Sequence, residues 1–230
     1  MNPAYTKCPK CGAEYSYVEQ SSENIADSEY WSDGFCLTPM RRDIVDFTKC
    51  PACNTYFWIP ENSVEEPSDL SSVKNLENTL DVDNISDEDI DFIKAAFRGG
   101  LAGTPEKEAH LRIKLWQVIN HIMRNYNSQG IFSKIKQKFF ETAEFKDAQN
   151  QYNAFSSLKQ NNLIRLINLL KLDKDNTDYI LFAEIYRELG DFGKATVYCY
   201  KAENAPRGDK ERALLLKQYV IGKNKITYKL

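Results

Sequence analysis

Four of the chain's six cysteines fall into two matching pairs, Cys8-Pro-Lys-Cys11-Gly and Cys50-Pro-Ala-Cys53-Asn. A gap of two residues lets a tight turn point both sulfurs at one spot. Two such turns supply four soft donors, a complete set for a tetrahedral thiophilic metal. Cys8, Cys11, Cys50 and Cys53 are therefore the candidate metal ligands. The match continues past the thiols, because an aromatic stands four residues after each second cysteine, Tyr15 and Phe57. Gly12 and Asn54 follow the second cysteines, and both residue types tolerate a left-handed backbone. Tyr15-Ser-Tyr-Val18, Asp43-Ile-Val-Asp-Phe47 and Thr55-Tyr-Phe-Trp-Ile59 read as short strands around the turns.

These paired turns resemble the knuckles of the zinc-ribbon family over roughly residues 5–60. The resemblance implies a small β domain at 1–60 holding one structural Zn²⁺. Rubredoxin also carries two such pairs and binds iron, and four thiolates alone do not separate the two metals. Its second pair is normally followed by glycine, however, where this chain has Asn54. A dithiol switch would need a βαβ pattern that neither pair has. Cys36, between the pairs, and Cys199, in Tyr198-Cys-Tyr200, read as buried thiols. With four cysteines given to metal, no disulfide framework is implied, which fits a reducing, cytoplasmic setting.

Little else in the chain suggests chemistry. Its two histidines, His110 and His121, are three helical turns apart on one expected helix and cannot share a metal. No phosphate-cradling glycine motif or nucleophile elbow occurs. Glu184 and Glu188 are an i,i+4 carboxylate pair without the converging partners that metal or acid–base work needs. The expectation is a protein that is not an enzyme.

At 230 residues and 42% apolar content, the chain can support a small metal domain and one helical domain. The net charge of −3 conceals segregation: Glu61 to Asp91 holds 11 acids and one base, whereas residues 92–142 hold 9 bases and 3 acids. Residues 61–85, rich in proline, serine and acid, read as a linker. The N-terminus lacks the apolar core of a signal peptide, and no stretch is long and apolar enough to span a membrane.

From 86 to 230 the pattern is all-α. Ser86-Asp-Glu-Asp89 caps a helix that ends at Gly99-Gly100, and Thr104-Pro105 starts another. Asp178 to Ala202 resembles one tetratricopeptide repeat, the helix–turn–helix unit of about 34 residues. Ala183, Ala195 and Ala202 match its small packing positions, Gly190-Asp-Phe192 its turn, and Pro206 its closing proline. Cys199 stands where the family carries a bulky aromatic. The repeat region is expected at about 143–206, followed by a closing helix at Lys210 to Ile221. Ribbon-plus-repeat proteins of uncharacterised function occur in bacteria, and this chain is similar to that loose class.

In tetratricopeptide proteins the first helix of each repeat lines a partner-binding groove. The matching positions here are Thr177, Ile180, Glu184, Arg187 and Glu188. Ile180 and Glu184 stand where carboxylate-gripping members carry lysine and asparagine, so no such clamp is expected. The resulting expectation is a zinc-binding adaptor that recognises a partner protein. The alternative is a nucleic-acid binder using Arg41-Arg42, Tyr30, Trp31 and the basic helices. Residues 1–60 oppose that alternative, with 5 bases against 8 acids.

Overall fold

The computed structural model describes residues 3–18, 28–37, 46–76, 85–128, 143–172, 178–205 and 209–230. Arg41-Arg42, Pro206 and Thr177 lie outside them. Among the described residues, a small N-terminal sheet region precedes six helices. The chain divides into two compact units, residues 1–28 with 37–111 and residues 29–36 with 112–230.

In the first unit, β1 (Pro3–Lys7) and β2 (Glu14–Val18) form an antiparallel hairpin in which Lys7 faces Glu14. The first cysteine pair occupies its turn. A second hairpin, β5 (Phe47–Lys49) with β6 (Tyr56–Trp58), carries the second pair in the same way. The segment expected as an acidic linker supplies two further strands. β7 (Ser63–Val64) pairs with β1, and β8 (Lys74–Asn75) runs parallel to β2, completing a four-stranded sheet.

Side-chain bonds explain why this acidic segment folds back. Glu14 accepts both the amide and the hydroxyl of Ser68, Ser16 donates to Asn75, and Leu76 is buried beside the cysteines. Helix α1 (Asp87–Arg98) starts at the expected Ser86 cap, where Ser86 and Asp89 form a reciprocal capping box. Its Phe92 stacks on Phe47 at 5.6 Å, and Leu101 just beyond it accepts the Trp58 indole N–H. The expected boundaries at 60 and 85 thus both fall inside this unit. Phe92 of α1 also lies against the Tyr56 ring of the second hairpin, and a Cβ at Gly99 would come within 2.9 Å of that ring.

The second unit holds most of α2 (Pro105–Ser128), with α3 (Ala143–Leu170), α4 (Tyr179–Leu189), α5 (Phe192–Asn204) and α6 (Lys210–Ile221). Aspartates cap the last three: Asp178, Asp191 and Asp209 each accept the amide three residues on. Gly190 takes the left-handed conformation at φ 83° that ends α4, so α5 can turn back along it. Ala183, Ala195, Cys199 and Ala202 are fully buried, where small side chains let helices approach.

Segment 29–36 also belongs to this helical unit. It contributes β3 (Glu29–Tyr30) and the start of β4 (Cys36–Leu37), a two-stranded pair. The C-terminal segment runs beside it: Ser32 N–H donates to the Tyr228 carbonyl, and Leu230 N–H to that of Tyr30. Among the described residues, no helix is long and apolar enough to cross a membrane.

Candidate metal centre

Each cysteine pair sits on the same backbone device. Cys8 N–H donates to Ala13 O and Cys50 N–H to Thr55 O, both at 2.8 Å. Gly12 N–H returns to Cys8 O and Asn54 N–H to Cys50 O. Gly12 has φ 74° and Asn54 φ 60°, the left-handed step that closes each turn. The sulfurs are treated alike as well. Lys10 and Cys11 amides serve Cys8, Ala52 and Cys53 amides serve Cys50, and Ala13 and Thr55 amides serve Cys11 and Cys53.

The two turns bring all four sulfurs within 4.8 Å of one another. Across the pairs, Cys8 Sγ lies 3.6 Å from Cys53 Sγ, and Cys11 Sγ lies 3.6 Å from Cys50 Sγ. A tetrahedron with metal–sulfur bonds of about 2.3 Å has edges of about 3.8 Å, so the spacing suits one metal ion. Cys8 and Cys50 are buried, Cys53 is half-buried and Cys11 is exposed.

Hydroxyls distinguish the two pairs. Tyr15 Oη is 3.2 Å from Cys50 Sγ, and Thr55 Oγ1 is 3.3 Å from Cys53 Sγ. The Thr55 hydroxyl and amide bring the Cys53 thiol down to about 6. Burial acts against ionisation of Cys50, but the Tyr15 hydroxyl and two amides outweigh it and lower that thiol. Burial pushes Cys8 up to about 12. Cys11 is also raised: the Ala13 amide lowers it, and desolvation with the nearby Cys53 and Cys50 sulfurs overrides that. A bound cation would favour all four thiolates together.

The other cysteines stand apart from this cluster. Cys36 falls in the helical unit and is half-buried. Cys199 is buried, and burial pushes its thiol up to about 11. The histidines lie in different units. His110 Nε2 is 2.7 Å from Asp46 beside Trp58, while His121 packs on the Phe35 ring.

The expected partner-binding face needs correction. Ile180, Glu184, Arg187 and Glu188 are all buried within the helical unit. The Arg187 guanidinium forks onto both Glu184 oxygens through Nε and Nη2, and its Nη1 donates to the carbonyls of Asn224 and Ile226. Glu188 accepts the Trp116 indole N–H, the Asn120 amide and the Lys159 ammonium. Asp33 accepts from Asn120 and Arg124. Ser32, the carbonyls of Asn224 and Ile226, and Trp116 and Asn120 of α2 all bond to these α4 side chains. These acids are internal counter-charges.

Sequence reasoning missed this network and the two hydroxyls. One signal was available: Glu184, Arg187 and Glu188 interrupt an otherwise apolar helix, and Trp116, Asn120 and Arg124 recur at i,i+4 spacing along α2. Comparison with known proteins returned no match to a family model, a curated protein or a solved structure.

Proposed function

We propose that the four sulfurs hold one structural Zn²⁺ and that the chain is a non-catalytic adaptor for a partner protein. The observation that carries the reading is the closed four-sulfur set. Four thiolates fill a tetrahedral zinc shell and leave no position for a water or a substrate. The backbone symmetry of the two turns supports a ribbon-type knuckle pair. The α4–α5 helical hairpin, with its Gly190-Asp191 turn, supports a tetratricopeptide-like unit. The metal would hold the turns of both hairpins together, and Cys8, Cys11, Cys50 and Cys53 would be its only protein ligands.

Two measurements test this. Elemental analysis of protein made without added metal should give about one equivalent of zinc. Iron with a visible absorption band would replace the structural role by electron transfer. Affinity capture from the native host, with and without nuclease, tests the adaptor role. Identified proteins that stay bound after nuclease and at high salt support it. Capture lost on nuclease treatment, with steep salt dependence, would move the reading to nucleic-acid binding.

A further inference from the structure

The near-symmetry of the two cysteine turns makes the placing of their hydroxyls informative. Related positions in the repeat are Ala13 and Thr55, two residues after the second cysteine, and Tyr15 and Phe57, four residues after it. Thr55 puts a hydroxyl on Cys53, and Tyr15 reaches across to put one on Cys50. Both hydroxyls therefore serve the second pair. Their counterparts, Ala13 and Phe57, carry no hydroxyl. Tyr15 and Phe57 are both buried in the apolar cluster that surrounds Cys8 and Cys50. The difference is thus one of chemistry at equivalent places.

A metal-bound cysteine is a thiolate, which can only accept. Tyr15 and Thr55 must then donate, drawing electron density from Cys50 and Cys53. We propose that Tyr15 and Thr55 are positioning residues of the metal centre that make the second pair the inert anchor. Cys8 and Cys11 are left as the electron-rich pair, with exposed Cys11 as the point where a soft electrophile attacks. In that attack the Cys11 sulfur lone pair forms a bond to carbon, and the leaving group departs with the electrons of its own bond. The resulting thioether is no longer anionic and holds the metal poorly. Nucleophilicity changes about threefold for each unit of thiolate basicity, so one lost hydroxyl bond is a measurable change.

The inference rests on the four-sulfur metal reading, and the experiment separates the two. The full chain is loaded with Co²⁺, and the sulfur-to-cobalt charge-transfer band is recorded for the native chain, Tyr15→Phe, Thr55→Ala, Thr55→Ser and Ala13→Thr. Tyr15→Phe and Thr55→Ala should move the band to lower energy, Thr55→Ser should restore it, and Ala13→Thr should move it to higher energy. Iodoacetamide labelling of the loaded proteins, mapped by peptide mass spectrometry, should find Cys11 modified first and Cys50 last. Thr55→Ala should raise Cys53 labelling about threefold with its exposure unchanged. Thr55 is not part of the buried cluster, so its variants remain informative if Tyr15→Phe, or Ala13→Thr at the cluster's edge, loosens the fold. Bands that do not move in Thr55→Ala and Ala13→Thr, or Cys53 labelled as fast as Cys11 in the native chain, would overturn the inference alone. A chain that takes up no Co²⁺ overturns the four-sulfur reading as well.

Discussion

The metal unit and the helical unit both bury charge, and they neutralise it in opposite ways. The helical unit carries its own counter-charges, with Asp33, Glu184 and Glu188 buried beside Arg124, Lys159 and Arg187. The cysteine cluster offers four acceptor sulfurs, backbone amides and two hydroxyls, but no cationic side chain bonded to a sulfur among the described residues. A metal ion, for which the four sulfurs are close enough, would supply the positive charge that those side chains do not.

The comparison breaks most visibly when the ion is removed. Chelation, or Cys50→Ser, should unfold the two hairpins, because metal ligation in such sites supplies on the order of 10 kcal/mol of folding free energy. Far-UV helicity from α3 to α6 should survive. Loss of all helical signal would mean that the helical unit also depends on the metal.

The next largest effect is expected where a built-in counter-charge is taken away. Glu188→Ala strands Lys159, the Asn120 amide and the Trp116 indole, and should cost about 3–5 kcal/mol in denaturant unfolding of the helical unit. A cost below about 1 kcal/mol would mean that the network is solvated after all. The same geometry predicts that Glu184→Lys and Glu188→Lys destabilise the fold, which makes them unusable as surface probes.

A smaller effect should follow pH. Burial, with the Arg124 guanidinium nearby, lowers His121 to about 4. A histidine whose folded value is depressed leaves stability intact above its ordinary range and erodes it as pH falls toward the folded value. The helical unit should therefore lose stability between about pH 6.5 and pH 4. Buried Asp33 and Glu184, whose carboxyls burial raises, respond in the opposite sense. The wild-type minus His121→Gln difference in urea midpoint isolates the histidine, and a flat difference would refute its role.

The smallest change is expected at the surface. Lys229→Ala removes an ion pair to Glu29 whose side chains are 54% and 39% exposed, and should move the urea midpoint of the helical unit hardly at all.

The metal turns were legible because the constraint is local. Two residues between thiols, a glycine or asparagine after them and an aromatic beyond are all fixed within one hairpin. Helix ends were legible for the same reason, as the Ser86 and Asp89 capping box and the Gly190 turn confirm. What escaped depended on residues far apart in sequence. Ser68 binding Glu14 turns an acidic linker into sheet, and Phe92 stacking on Phe47 moves α1 into the metal unit. Glu188 looks like a solvated acid until Trp116, Asn120 and Lys159 close on it. Tyr15 was read as a strand aromatic, and only its position opposite Cys50 reveals its hydroxyl as a donor.

The membership of residues 29–36 in the helical unit has a consequence for synthesis on the ribosome. Ser32 is made early, yet its hydrogen-bonding partner Tyr228 follows 196 residues later. At translation rates of 5–20 residues per second, that delay is roughly 10 to 40 s. The second cysteine pair emerges well before then, so the metal turns can close while the stretch between them still lacks its helices. Until α2 has been made, Asp33 lacks the Asn120 and Arg124 that bond it, and Trp31 lacks the Arg124 guanidinium that lies over its ring. A gene fragment ending at residue 111 would leave both residues in that condition permanently, because Asn120 and Arg124 would never be made.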